Sequence, residues 1–108
     1  MKTLISCVAA VGLLLVLNSN AQQKTRPNEV RIDNFAFTPK TLTVERGTIV
    51  TWVNHDDVPH KVTSTDKKFA SSQALDTDQK FSHTFTQAGT YDYFCSIHPR
   101  MTGQIVVK

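Results

Sequence analysis

Three residues near the C-terminus bring together side chains rarely gathered in so short a segment. Cys95, His98 and Met101 lie in Cys95-Ser96-Ile97-His98-Pro99-Arg100-Met101, a thiolate, an imidazole and a thioether at C-x2-H-x2-M spacing. Two intervening residues are enough for the chain to turn, so that each next side chain points back to the same centre. A second imidazole has to come from elsewhere, and His60 is the best candidate. Val58-Pro59 restricts the backbone just before it, and His60 to Thr65 reads as a strand that can lie beside the one ending in Cys95. Together they offer two nitrogens, one strong sulfur and one weak sulfur.

That donor set selects for copper. Thiolate and thioether suit Cu(I), imidazole suits both oxidation states, and two His and one Cys with a distant Met is the arrangement of blue-copper electron-transfer sites. Zinc accepts Cys and His, but Met is an unusual ligand for it, and structural zinc sites use Cys and His pairs that this chain lacks. A catalytic Cys–His pair is the other chemical alternative, yet nothing nearby in sequence orients His98 as a third member. A Cys and a Met that merely pack would explain either residue alone. Packing does not explain why both flank a His at ligand spacing.

Residues 1–21 sharpen this arithmetic because they read as a cleaved secretory signal. Lys2 supplies the charged start, Leu4 to Leu17 is almost wholly apolar, and Ser19-Asn20-Ala21 offers small residues for cleavage. A membrane anchor needs about 20 apolar residues, and this run breaks at Asn18. With the leader go Cys7 and Met1, so Cys95 and Met101 become the single Cys and single Met of an exported chain, and no internal disulfide is possible. Residues 22–28 form a polar lead and residues 29–108 the domain.

The elements that must position these donors are strands. Short alternating runs separated by turn residues fill the domain, with no apolar 3.6-residue stripe long enough for a core helix. Val30, Ile32, Phe35 and Phe37 form a first run whose change of parity predicts a bulge near Asp33-Asn34, and Pro39 ends it. Leu42 and Val44, Ile49 to Val53, His60 to Thr65, Phe81 to Phe85, Thr90 to Cys95 and Gln104 to Val107 follow. Residues 66–79 read as a long connection with a helical turn or an edge strand. Strands at this spacing predict a single all-β domain, a sandwich or barrel. At 108 residues, with 40% hydrophobic and 19% charged, the chain supports one modest core and no second domain. Removing Lys2 leaves eleven basic against nine acidic residues, too weak a bias for a nucleic-acid partner.

The stretch from Thr48 to Lys108, with T-W-V-N, V-P-H, F-T-Q-A-G-T-Y-D-Y-F-C-S-I-H-P-R-M and G-Q-I-V-V, resembles the cupredoxin family. Its short ligand loop with Pro after His is most similar to that of amicyanin, and bacterial plastocyanin-like proteins share much of the pattern. The resemblance implies a Greek-key β-sandwich of eight or slightly fewer strands, with one copper ion bound at one end by His60, Cys95, His98 and Met101. It further implies a periplasmic, monomeric electron carrier rather than an enzyme. Its redox partners would be proteins such as a c-type cytochrome or a dehydrogenase, docking near His98, where Ile97 and Pro99 offer an apolar rim and Arg100 a positive charge. The family commonly has Asn after the first His, bracing the hydroxyl residue that follows the Cys. Here Lys61 stands there, so Ser96 loses that partner, although the Lys61 N–H can still donate to the Cys95 sulfur.

A copper carrier or storage protein is the alternative. It would be expected to display Met or His clusters, and the exported chain has no second Met. An oxidase or reductase needs an open metal position or a second site, and only His55 and His83 are left to build one. His55, in N-H-D-D, reads as a solvated loop histidine, and His83 shares a half-buried face with Phe81 and Phe85. Trp52, Tyr91 and Tyr93 read as core, Phe94 as surface packing beside Cys95, and Lys67-Lys68 as a solvated loop.

Overall fold

The computed structural model describes residues 27–108. The expected leader, residues 1–21, and most of the polar lead lie outside the described residues. Eight strands form: β1 (Glu29–Asp33), β2 (Ala36–Thr38), β3 (Thr41–Val44), β4 (Thr48–Asn54), β5 (Thr63–Ser64), β6 (Lys80–Phe85), β7 (Gly89–Phe94) and β8 (Thr102–Val107). They make two four-stranded sheets, ordered β2-β1-β4-β6 and β3-β8-β7-β5. β1 pairs with β4 and β3 with β8 in parallel, and the other pairings are antiparallel. The expected all-β sandwich is therefore present.

Period-two alternation explains which side of each strand is buried. Val30 and Ile32 of β1 and Ile105 and Val107 of β8 turn inward, while their polar neighbours turn out. Trp52, fully buried, is the centre of the core, packed on Phe69, Phe81, Phe85 and Tyr93. The β4–β6 register sets Trp52 opposite Phe81 and Val50 opposite His83, so one face of this pair carries Trp52, Phe81, His83 and Phe85, while Tyr93 meets them from the other sheet. Tyr91 is half-buried against this core, and its hydroxyl donates to the Gln87 carbonyl at 2.7 Å, pinning the β6–β7 turn.

Three sequence expectations need correction. The parity change after Ile32 is not a bulge. It is a tight hairpin in which Asp33 pairs with Ala36, and Asn34 (φ 52°) and Phe35 (φ 58°) both take left-handed backbone. Phe35 is consequently 49% exposed rather than core. The strand expected over His60 to Thr65 shrinks to Thr63–Ser64, and His60 makes an isolated bridge with Leu75 instead. Residues 66–79 contain no helical turn; the edge-strand alternative is met only by the single Leu75 bridge to His60, and the segment's backbone hydrogen bonds reach Asn54, His60 and Val62.

Candidate metal centre

Four side chains singled out by type and spacing come from three places in the fold. Cys95 directly follows β7, His98 and Met101 lie in the β7–β8 loop, and His60 lies in the β4–β5 connection. The loop is built from two successive tight turns: the His98 N–H donates to the Cys95 carbonyl (3.1 Å) and the Met101 N–H to the His98 carbonyl (2.9 Å). In such turns side chains three residues apart fall on the same side, which is why C-x2-H-x2-M spacing converges on one point. The Cys95 N–H closes the loop on the Met101 carbonyl at 3.0 Å.

His60 is placed by a chain of buried hydrogen bonds. Asn54, at the end of β4 and fully buried, donates through Nδ2 to the carbonyls of Val58 (3.0 Å) and Leu75 (2.8 Å) and accepts the Asp56 N–H (2.9 Å). The His60 backbone exchanges two hydrogen bonds with Leu75, at 3.1 and 2.7 Å. Its ring Nε2 meets Asp56 Oδ2 at 2.7 Å. A carboxylate there holds the proton on Nε2 and leaves the Nδ1 lone pair facing inward, as is common for metal-binding histidines.

The inward atoms meet. His60 Nδ1 lies 3.7 Å and His98 Nδ1 3.9 Å from Cys95 Sγ, and the three atoms lie within 4.8 Å of one another. An ion at about 2.0 Å from nitrogen and about 2.3 Å from sulfur would separate those atoms by about 3.6–3.8 Å at ordinary coordination angles. His60 and Cys95 are fully buried, Met101 nearly so, and His98 is half-buried. The Lys61 N–H donates to Cys95 Sγ at 3.3 Å, the bond expected from sequence despite the Lys in place of Asn. Among the described residues no hydrogen bond joins the side chains of Lys61 and Ser96. His98, Met101, Ile97, Pro99 and Arg100 line a shallow, mainly apolar recess closed on one side by Phe35.

Two contributors were not legible in the sequence. Asp56 lies in a polar N-H-D-D run, and the one signal that marks it is a carboxylate four residues before a candidate ligand His. Besides His60 it accepts the N–H groups of Asn34 (2.6 Å) and Phe35 (3.0 Å). Desolvation alone would raise its pKa, but the N–H groups of Phe35 and Asn34 and the His60 ring outweigh that and hold the carboxyl below its usual range. Phe35 stands edge-on to His60 and His98, with ring centroids 5.4 and 5.0 Å apart. The other two histidines lie where the sequence places them: His55 is exposed, and half-buried His83 packs on Phe69 and Phe85.

Known proteins share this architecture. A sequence model of the family described as the Cupredoxin-like domain matches residues 6–107. Amicyanin from Paracoccus versutus is 34% identical over 84 residues and that from Paracoccus denitrificans 36% identical over 83, each match covering 73% of this chain and 63% of the relative. The chain thus spans slightly less than two thirds of the length of those two relatives. Among solved structures, the purple cupredoxin from Nitrosopumilus maritimus is similar with a TM-score of 0.71 at 33% identity, over 74% of this chain and 98% of that one. A Cu(I) form of an amicyanin variant also gives 0.71, at 34% identity over 74% of this chain and 80% of its own. Two imidazoles, a thiolate and a thioether at one end of such a sandwich fit one copper ion. A match of this extent, to a fold and a donor set that agree with it, means that this chain belongs to the cupredoxin-like family.

Proposed function

We propose that this protein carries single electrons between redox partners as an exported type 1 copper protein, with His60 Nδ1, Cys95 Sγ, His98 Nδ1 and the Met101 thioether as ligands. The observation that carries the reading is the convergence of the first three atoms within 4.8 Å at the closed end of the sandwich. Copper bound there supplies a one-electron Cu(II)/Cu(I) couple. The chain's own part is to hold the donors still. Asp56 fixes the His60 ring, Leu75 fixes its backbone, and Cys95 and Met101 are joined by the bond that closes their loop. Donors that barely move between oxidation states keep the reorganisation cost of each transfer small.

The Lys61 N–H stabilises negative charge on the Cys95 sulfur and so helps to set the potential. His98 is the ligand that reaches the surface, and its outer edge in the apolar recess is the port for electrons. Arg100 beside it favours an acidic face on the partner, for which a c-type cytochrome or a dehydrogenase is the proposed class. The leader, residues 1–21, would deliver residues 22–108 to the periplasm, where the protein would act as a monomer.

Adding Cu(II) to the metal-free protein tests this reading. The expected result is intense visible absorption with the spin-resonance signature of a copper–thiolate bond, lost in Cys95→Ser. Faint colour unaffected by Cys95→Ser overturns the site. Copper that passes readily to a competing apo-protein, while neither oxidation state exchanges electrons with a small redox protein, favours a copper carrier instead.

A further inference from the structure

Phe35 is an expensive residue to keep where it stands. It follows Asn34 in left-handed backbone, a conformation that an aromatic L-residue rarely adopts, and it leaves 49% of an apolar side chain exposed. Neither feature serves the core, which is centred on Trp52. What the position achieves lies at the metal centre. The Phe35 ring stands at 89° to both imidazoles, and the His60 and His98 centroids are themselves 5.0 Å apart, so the three rings close a triangle.

Asp56 holds that triangle together. Its Oδ1 accepts the Asn34 N–H, and its Oδ2 accepts both the Phe35 N–H and the His60 Nε2–H. One carboxylate thus ties the orientation of a ligand ring to the hairpin that carries the Phe35 ring. His98 is held differently. Its ring has Phe35 and His60 as aromatic neighbours and touches Cys95 Sγ at 3.9 Å, with no carboxylate or carbonyl fixing its other nitrogen among the described residues. Since His60 and Cys95 are fully buried and His98 is not, a metal ion reaches the donors past His98.

We propose that Phe35, clamped by Asp56, is a positioning residue that restrains the swing of the His98 ring and thereby sets how fast a metal ion enters and leaves the centre. The proposal rests on the copper-site reading. Its first test needs no copper. In the metal-free protein, relaxation-dispersion measurements on the His98 ring should show faster or larger microsecond-to-millisecond exchange in Phe35→Ala than in wild type. Phe35→Tyr should restore wild-type behaviour. Stopped-flow uptake of Co(II), and its release to a chelator, should both be several-fold faster in Phe35→Ala, with the final Co(II) spectrum unchanged.

Wild-type ring dynamics and uptake in Phe35→Ala overturn the proposal, as does faster uptake without faster His98 exchange. Asp56→Ala should likewise quicken His98 exchange in the metal-free protein, and unchanged His98 dynamics there overturn the part assigned to the carboxylate. If Asp56→Ala fails to fold, Phe35→Ala alone decides the question. A wild-type protein that takes no colour with Cu(II) would refute the copper reading, while the ring-dynamics comparison would still judge the restraint on its own terms.

Discussion

Cys95 and Met101 contribute two sulfurs of unequal weight, and their surroundings differ accordingly. The Cys95 sulfur accepts a backbone N–H and faces both imidazoles, whereas Met101 joins through a thioether, a weak donor, on the rim of the recess. Met101→Leu should therefore retain copper and its colour, because the thiolate and both imidazoles stay. Its potential should rise, since losing a sulfur donor costs the oxidised state more than the reduced one. Voltammetry on the two proteins checks this, and a potential that falls or stays put would remove Met101 from the ligand set. At this scale Cys95, His98 and Met101 are legible in sequence because a local turn spacing brings them together. Asp56 is less so: its spacing to His60 is local, but the two partners that make it a clamp, Asn34 and Phe35, lie 22 and 21 residues away.

Among the elements, β7 and β8 approach each other closely at one point. Gly103 pairs with Tyr93, and a Cβ at Gly103 would run into the Tyr93 ring and hydroxyl. That ring is buried and wedged edge-on between Phe37 (4.8 Å) and Trp52 (5.4 Å), so it cannot step aside. Gly103→Ala should destabilise the metal-free domain by about 2 kcal/mol, measured by urea unfolding. A loss below a few tenths of a kcal/mol would mean that the two strands can slide apart there.

On β6, desolvation against Phe69 and Phe85 lowers the pKa of His83 from its usual 6.5. The fold prefers the neutral ring, so the ring's contribution to stability is complete above pH 6.5 and declines as pH falls through 6.5 toward the lowered folded value. The stability difference between wild type and His83→Gln should accordingly shrink between about pH 7.5 and pH 5. A difference that stays flat or grows over that range would contradict it.

For the molecule as a whole, the two sheets meet around one aromatic core, and the donors gather at one end through loops rather than through strands. A buried group of unsatisfied donors adds little to folding without an ion, and no such site exists in the unfolded chain. Copper at about a thousandfold over its Kd should add about 4 kcal/mol, a rise in Tm of roughly 15 °C or more for a domain of this size. Calorimetry with and without the ion reads this directly, and coincident transitions would mean that the centre is not bound in the folded state.

The amino-acid sequence by itself determined the strand alternation and the three donors of the C-terminal loop, because each depends on neighbours two or three residues apart. It also pointed to His60, through the Pro before it and the strand expected after it. Only the tertiary structure decided how His60 is held, by Asn54, Asp56 and Leu75, and that its strand reduces to two residues. The hairpin at Asn34-Phe35 belongs to the same class. Local preference disfavours Phe in left-handed backbone, and hydrogen bonds donated by the Asn34 and Phe35 N–H groups to a carboxylate more than twenty residues away override that preference.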